Sequence, residues 1–193
     1  MRVLVLHAHP NPESYNAALC RRVVEGLEAG GHEVDLCDLY AEGFEPVLSR
    51  EEREGYHALP SNRAPVEAHV QRLEAAKGIV IVHPVWNFGF PAILKGYFDR
   101  VFLPGVSFRI VNGRVRPNLQ HVDKLMVVTT YGAHRWRALM MGDPPRTFAT
   151  RSLRVLIKPS GSMSYHAHYD MNRSTPATRD AFLRRVGDAA ARF

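Results

Sequence analysis

No apolar run in this 193-residue sequence approaches the roughly 18 to 20 residues a membrane-crossing helix needs. The N-terminal Val3-Leu4-Val5-Leu6 is cut off by His7 and has no cleavage-like region after it, so a cytoplasmic protein without membrane insertion is expected. Cysteine is scarce. Cys20 and Cys37 fall in separate predicted elements, and buried, reduced thiols are the plain expectation, with a redox or disulfide role as the alternative. There is neither a G-x-G-x-x-G fingerprint nor a G-K-[ST] loop, so a standard dinucleotide Rossmann site and a P-loop are both disfavoured. Blocks of like charge are missing too. The formal net charge is +6, but the arginines are scattered, which favours a general attraction for anionic ligands such as nucleotide phosphates over nucleic-acid recognition. The pairs His7-x-His9 and His166-x-His168 lack further ligands at recognised spacing, so no metal is expected there.

What remains is an alternation of strands and helices. Val3 to Leu6, Glu33 to Leu39, Gly78 to His83 and Lys124 to Thr130 read as strands, the apolar runs among them suited to burial on both faces, and Gly161 to His166 is a weaker fifth. Helices are expected from Ala17 to Ala29, ending at Gly30-Gly31, from Val66 to Ala76, from Pro91 to Phe102, around Thr147 to Ile157, and from Pro176 with Ser174 or Thr175 as cap. Ser49-Arg50-Glu51-Glu52 has capping-box spacing and opens a short helix inside an otherwise irregular stretch. A second irregular stretch covers Pro104 to His121. The alternation predicts one α/β domain over residues 1–193, a doubly wound parallel sheet with helices on both faces. Ligands of such sheets bind beyond the carboxyl ends of the strands.

Three loops therefore carry the functional reading. In the first, His9, Ser14, Tyr15 and Asn16 gather hydroxyl, amide and imidazole groups at a helix N-terminus, where free N–H groups and the helix dipole favour an anion. Residue chemistry alone fits an ordinary helix cap equally well. In the second, Pro84, Val85, Trp86, Asn87 and Phe88 form an aromatic wall with hydrogen-bonding capacity, suited to a planar ligand; core packing or a subunit contact is the alternative for Trp86 and Phe88. In the third, Thr129, Thr130 and Gly132 offer hydroxyls and a close backbone approach to a ring that becomes anionic on reduction.

Together these loops resemble the NAD(P)H:quinone oxidoreductase family of the flavodoxin-like fold. The resemblance is carried by His9 to Leu19, by Asp38-Leu39-Tyr40 with Phe44-Glu45-Pro46, by Leu73 to Ala76, and above all by Pro84 to Phe102. It implies a five-stranded parallel sheet of order 2-1-3-4-5 and a two-electron reduction of quinones or similar small aromatic acceptors by NAD(P)H through a bound flavin. FAD is the first choice, because the Pro91 to Phe102 helix is closer to the FAD users, and FMN the second. Carried over by residue, it places His9, Ser14, Tyr15 and Asn16 at the flavin phosphate, Pro84 to Phe88 along the isoalloxazine, and Thr129, Thr130 and Gly132 at its pyrimidine side. It also implies a homodimer whose acceptor pocket is built across subunits, and a likeness to the family's compact bacterial branch.

The third loop departs from the family pattern. Tyr131 stands where a glycine follows the two threonines, and Arg137 falls near the place of a family tyrosine, so no catalytic acid or base is assigned. His134, Arg135 and Trp136 are candidates for the pocket wall. Two other functions fit related loops: an ancillary subunit of a potassium-efflux system, and a one-electron carrier, against which the basic composition and the aromatic loop both argue.

Overall fold

The computed structural model describes residues 1–193. Its central sheet takes the order β2-β1-β3-β6-β7, all neighbours parallel, from β1 (Arg2–His7), β2 (Glu33–Asp38), β3 (Gly78–Val85), β6 (Lys124–Tyr131) and β7 (Ser162–His168). Counting these five strands alone, this is the expected 2-1-3-4-5 order.

Strand alternation divides the core into two layers. Leu4, Leu6, Ile79, Ile81, Leu125 and Val127 point to one face, while Val3, Val5, Val80, Val82, Met126 and Val128 point to the other. Helices α3 (Glu67–Ala75) and α4 (Ala92–Val101) cover the first face with Val70, Leu73, Leu94, Tyr97 and Val101. Helices α1 (Tyr15–Ala29) and α8 (Pro176–Ala191) cover the second with Leu19, Val23, Leu27, Phe182 and Val186. α1 and α8 approach closely because both are glycine at the crossing; a Cβ on Gly26 would lie 2.6 Å from the Gly187 carbonyl oxygen. Cys20 and Cys37 are free and buried, and burial pushes both thiols up to about 12.

The expected termini hold closely. Ser49 and Thr175 each close a capping box, on α2 (Arg50–Glu54) and on α8, and Gly31 supplies the left-handed residue after α1 with φ 75°. Two regions differ. The stretch from Pro104 to His121 contains a hairpin, β4 (Phe108–Val111) and β5 (Arg114–Pro117), turning through Asn112 and Gly113, both at positive φ. An Asn-Gly pair between alternating residues is a strong hairpin signal. The helix expected around Thr147 to Ile157 is broken into α6 (Pro144–Thr147), a π-helical segment Phe148–Leu153 and α7 (Arg154–Leu156), a widened winding that still buries Ala149 and Leu153. The expected helix from Val66 begins instead at Glu67, after a 3₁₀ segment Ser61–Val66. No helix is long and apolar enough to cross a membrane.

Candidate active site

The parallel register brings the three loops together. His83 pairs with Thr129, Pro84 with Thr130 and Val85 with Tyr131, so residues of the second and third loops stand side by side on adjacent strands. The His9 ring meets Trp86 edge-on at 5.8 Å, and Tyr15 meets His168 at the end of β7 at 5.9 Å. The first loop thus touches both the second loop and the last strand.

Ser14 is the N-cap of α1. Its Oγ accepts from the Ala17 N–H at 3.1 Å, leaving the N–H groups of Tyr15 and Asn16 without intrahelical acceptors. Ser14 thus caps the helix, and the cap coexists with two free donors at the positive end of a 15-residue helix. Asn16 is buried, yet its Oδ1 and Nδ2 both lack a hydrogen-bond partner. Thr129 is fully buried with its Oγ1 equally unpartnered. Such groups cost roughly 1–3 kcal/mol each if left unpaired, so their presence at strand and helix ends points to a polar ligand. His9 and Tyr15 are already engaged: His9 Nδ1 accepts from the Asn11 N–H at 3.1 Å, and the Tyr15 hydroxyl donates to the Arg179 carbonyl on α8 at 2.8 Å. Burial holds the His9 imidazole below its usual range, and the neighbouring His7 adds to this.

The second loop is a tight turn closed by reciprocal Trp86–Gly89 backbone bonds, 2.8 Å and 3.2 Å. Asn87 and Phe88 at its tip take φ of 49° and 58°. Two consecutive left-handed residues, one of them bulky, cost of order 1–3 kcal/mol each, strain of the kind that gathers at ligand sites. Beneath the turn, His83 is fully buried, its Nδ1 2.8 Å from the Pro84 carbonyl oxygen and its ring 5.1 Å from Phe90. Burial pushes its imidazole down to about 4.

A cavity of about 590 Å³ opens beyond β3 and β6. Val85, Asn87, Phe88 and Gly132 of the expected site line it, with His134 and Trp136 from the looser set; Arg135 does not. Pro84, Thr129 and Thr130 lie buried behind it in the strand ends, and Trp86 stands exposed at the His9 contact. A Cβ on Gly132 would meet nothing nearer than Asn172 at 3.6 Å, so packing within the protein does not require glycine there and the backbone stays open to the cavity.

Two features escaped the sequence. The turn after β7 contributes Asp170, Asn172 and Arg173 to the wall, tied to the third loop by the Asp170 N–H donating to the Ala133 carbonyl at 3.0 Å. β7 runs on to His168, two residues past the expected end at His166, and the carboxyl end of a strand in such a sheet is where ligands gather. Tyr131 is buried, its hydroxyl donating to Asp143 Oδ1 at 2.6 Å and lying 2.6 Å from the Tyr165 hydroxyl, while its ring stacks on Tyr169 at 4.5 Å. Burial, reinforced by Tyr165, raises the Tyr131 phenol far above its ordinary range, so it stays protonated. The residue that departs from the expected glycine thus rivets β6 to the start of α6 and to β7.

A family model described as the flavodoxin-like fold matches residues 1–185. The rat protein NAD(P)H dehydrogenase [quinone] 1 is 33% identical over 148 residues, 68% of this chain and 54% of that protein. Among solved structures, Smu.1420 from Streptococcus mutans superposes with a TM-score of 0.87 at 25% identity, covering 100% of both chains. An NAD(P)H:quinone oxidoreductase from Methanothermobacter marburgensis superposes at 0.84 with 22% identity, over 99% of this chain and 98% of its own. The chain spans about half the length of the curated relatives it matches.

Proposed function

The chain belongs to the flavodoxin-like fold family, and from that premise we propose that it is a flavin-dependent oxidoreductase passing a hydride from NAD(P)H to quinones or similar planar acceptors. The observation that carries the proposal is the aromatic-walled cavity beyond β3 and β6, together with the buried, unpartnered side chains of Asn16 in the first turn of α1 and of Thr129 near the end of β6. When bound, the flavin supplies hydride acceptance from NAD(P)H and two-electron delivery to the acceptor.

The chain's own residues do the rest. The free N–H groups of Tyr15 and Asn16, with His9 and Ser14 beside them, hold the phosphate region. Pro84, Val85, Trp86, Asn87 and Phe88 orient the ring and exclude water from one face. Thr129, Thr130 and the Gly132 backbone would supply donors to the pyrimidine side of the ring. Arg137 and Arg173 line the cavity and add attraction for the phosphates of an incoming nucleotide. FAD is the flavin favoured by the resemblance of α4 to the FAD users; heat release followed by chromatography identifies it. The purified protein is expected to be yellow and to oxidise NADH or NADPH only when quinone is added. A colourless protein that neither FAD nor FMN reconstitutes overturns the reading.

The homodimer belongs to the same proposal. Helix α5 (Arg135–Met140) follows the third loop, and Trp136, Leu139, Met140 and Met141 are exposed on and just after it, a run of large apolar side chains beside the cavity. Sedimentation is expected to show a dimer, and Leu139→Glu combined with Met140→Glu a monomer with depressed quinone turnover. A parent that sediments as a monomer at assay concentration removes the dimer from the proposal.

A further inference from the structure

Beside the edge strand β2, three residues that take no part in lining the cavity converge. Cys37 at the end of β2, Glu42 in the following turn and His69 on α3 place their ligand atoms within 4.8 Å of one another. Cys37 Sγ lies 3.6 Å from Glu42 Oε2 and 3.7 Å from His69 Nδ1. With bond lengths of about 2.3 Å to sulfur and 2.0–2.1 Å to nitrogen or oxygen, adjacent ligands of a tetrahedral Zn²⁺ stand about 3.5 Å apart. Two of the three edges already have that length.

The surroundings are built to hold these groups still. The His69 ring is edge-on to Phe44 at 4.9 Å and to Tyr97 at 5.6 Å, which fixes its plane. Arg72, one turn further along α3, grips Glu42 with Nη1 2.8 Å from both carboxylate oxygens and is itself anchored to Asp35 and to the Leu36 carbonyl. A carboxylate oriented by a basic outer partner is the usual support of a metal ligand. Cys37 is fully buried whereas Glu42 opens to solvent, giving a protected donor with a route of entry. The Tyr97 hydroxyl is also fully buried without a hydrogen-bond partner, and its ring packs against His69. It is an unspent polar group for the fourth position or for a water held there.

We propose that Cys37, Glu42 and His69 form a binding site for a divalent cation of borderline softness, with Zn²⁺ the fitting member. The thiol proton leaves to solvent and the thiolate sulfur takes its place on the cation. One thiolate and one carboxylate neutralise the double positive charge, and Arg72 keeps its pairing with Asp35. The site is independent of the cavity and of the oxidoreductase reading, so its test needs no turnover.

Chelator-stripped full-length protein is titrated with Zn²⁺ by calorimetry and with Co²⁺ by near-ultraviolet absorption. The expected result is one equivalent bound, with a thiolate-to-cobalt charge-transfer band. Cys37→Ser abolishes the band and weakens Zn²⁺ binding at least tenfold. His69→Ala, a change at a half-buried helix position whose folding is checked by circular dichroism, weakens it likewise and keeps the test valid if the cysteine variant does not fold. Absence of the band, or Zn²⁺ affinity unchanged in both variants because other histidines hold the ion, overturns the proposal.

Discussion

Replacing Asn16 by alanine is expected to weaken flavin binding roughly ten- to a hundredfold while leaving the flavin-free protein at least as stable as the parent. Both amide atoms of Asn16 are buried and unpartnered, so in the flavin-free protein the side chain is a cost. Alanine removes that cost and is a better helix former in the first turn of α1. The bound ligand loses about two hydrogen bonds of roughly 1 kcal/mol each, which corresponds to the stated range. Flavin titration by fluorescence and urea unfolding of the stripped protein measure the two quantities separately. A variant that unfolds more easily but binds flavin as the parent does would return Asn16 to a purely structural role.

Acidification is the second large effect. The His83 imidazole is fully buried and held at about 4, below its ordinary 6.5. The native state therefore keeps it neutral while the unfolded chain takes up a proton as soon as pH falls below 6.5. The unfolded state binds more protons in that window, so stability rises with pH there, is fully present above 6.5, and is lost as pH falls toward 4. At 1.36 kcal/mol per pKa unit, the loss from this one group is about 3 kcal/mol. His9, His69, His166 and His168 are also lowered by burial and steepen the same slope. The difference between the parent and His83→Asn isolates the single group: it is expected to change by about 3 kcal/mol between pH 7 and pH 4. A pH-independent difference would show that His83 titrates in the native protein as it does in the unfolded chain, and would overturn its assignment as a buried neutral imidazole.

Glu52 and Asp38 act at lower pH. Burial works against both, but the Arg100 guanidinium and the Ser49 backbone hold Glu52 below the usual carboxylate range, and His7 does so for Asp38. Their contribution disappears only as the carboxylates themselves protonate, so a calorimetric pH series separates the two regimes.

The sheet was legible because its strands are continuous apolar runs, and a run such as Gly78 to His83 has only one way to satisfy its backbone while burying both faces. The helix ends were legible because caps are local: Ser14, Ser49, Thr175 and Gly31 act on groups two to four residues away. The site residues were legible as chemistry, since hydroxyls, amides and aromatics cluster at the ends of strands. Their division of labour was not. Ser14 and Asn16 are equivalent on paper as cap or ligand contact, and only the packed structure spends Ser14 on the cap and leaves the Asn16 amide unpaired.

By itself the sequence determined the alternation, the helix termini and the three loops, because each depends on interactions within a few residues. Tertiary structure decided what depends on distant partners. It set Tyr131 against Asp143, Tyr165 and Tyr169, turning an apparent irregularity into a rivet. It brought the turn after β7 into the cavity wall and drew Cys37 to within 3.7 Å of His69 across 32 residues of chain. The physical reason is the same in each case: a side chain's spacing along the chain records its helix or strand, but the sheet's strand order determines which side chains it meets.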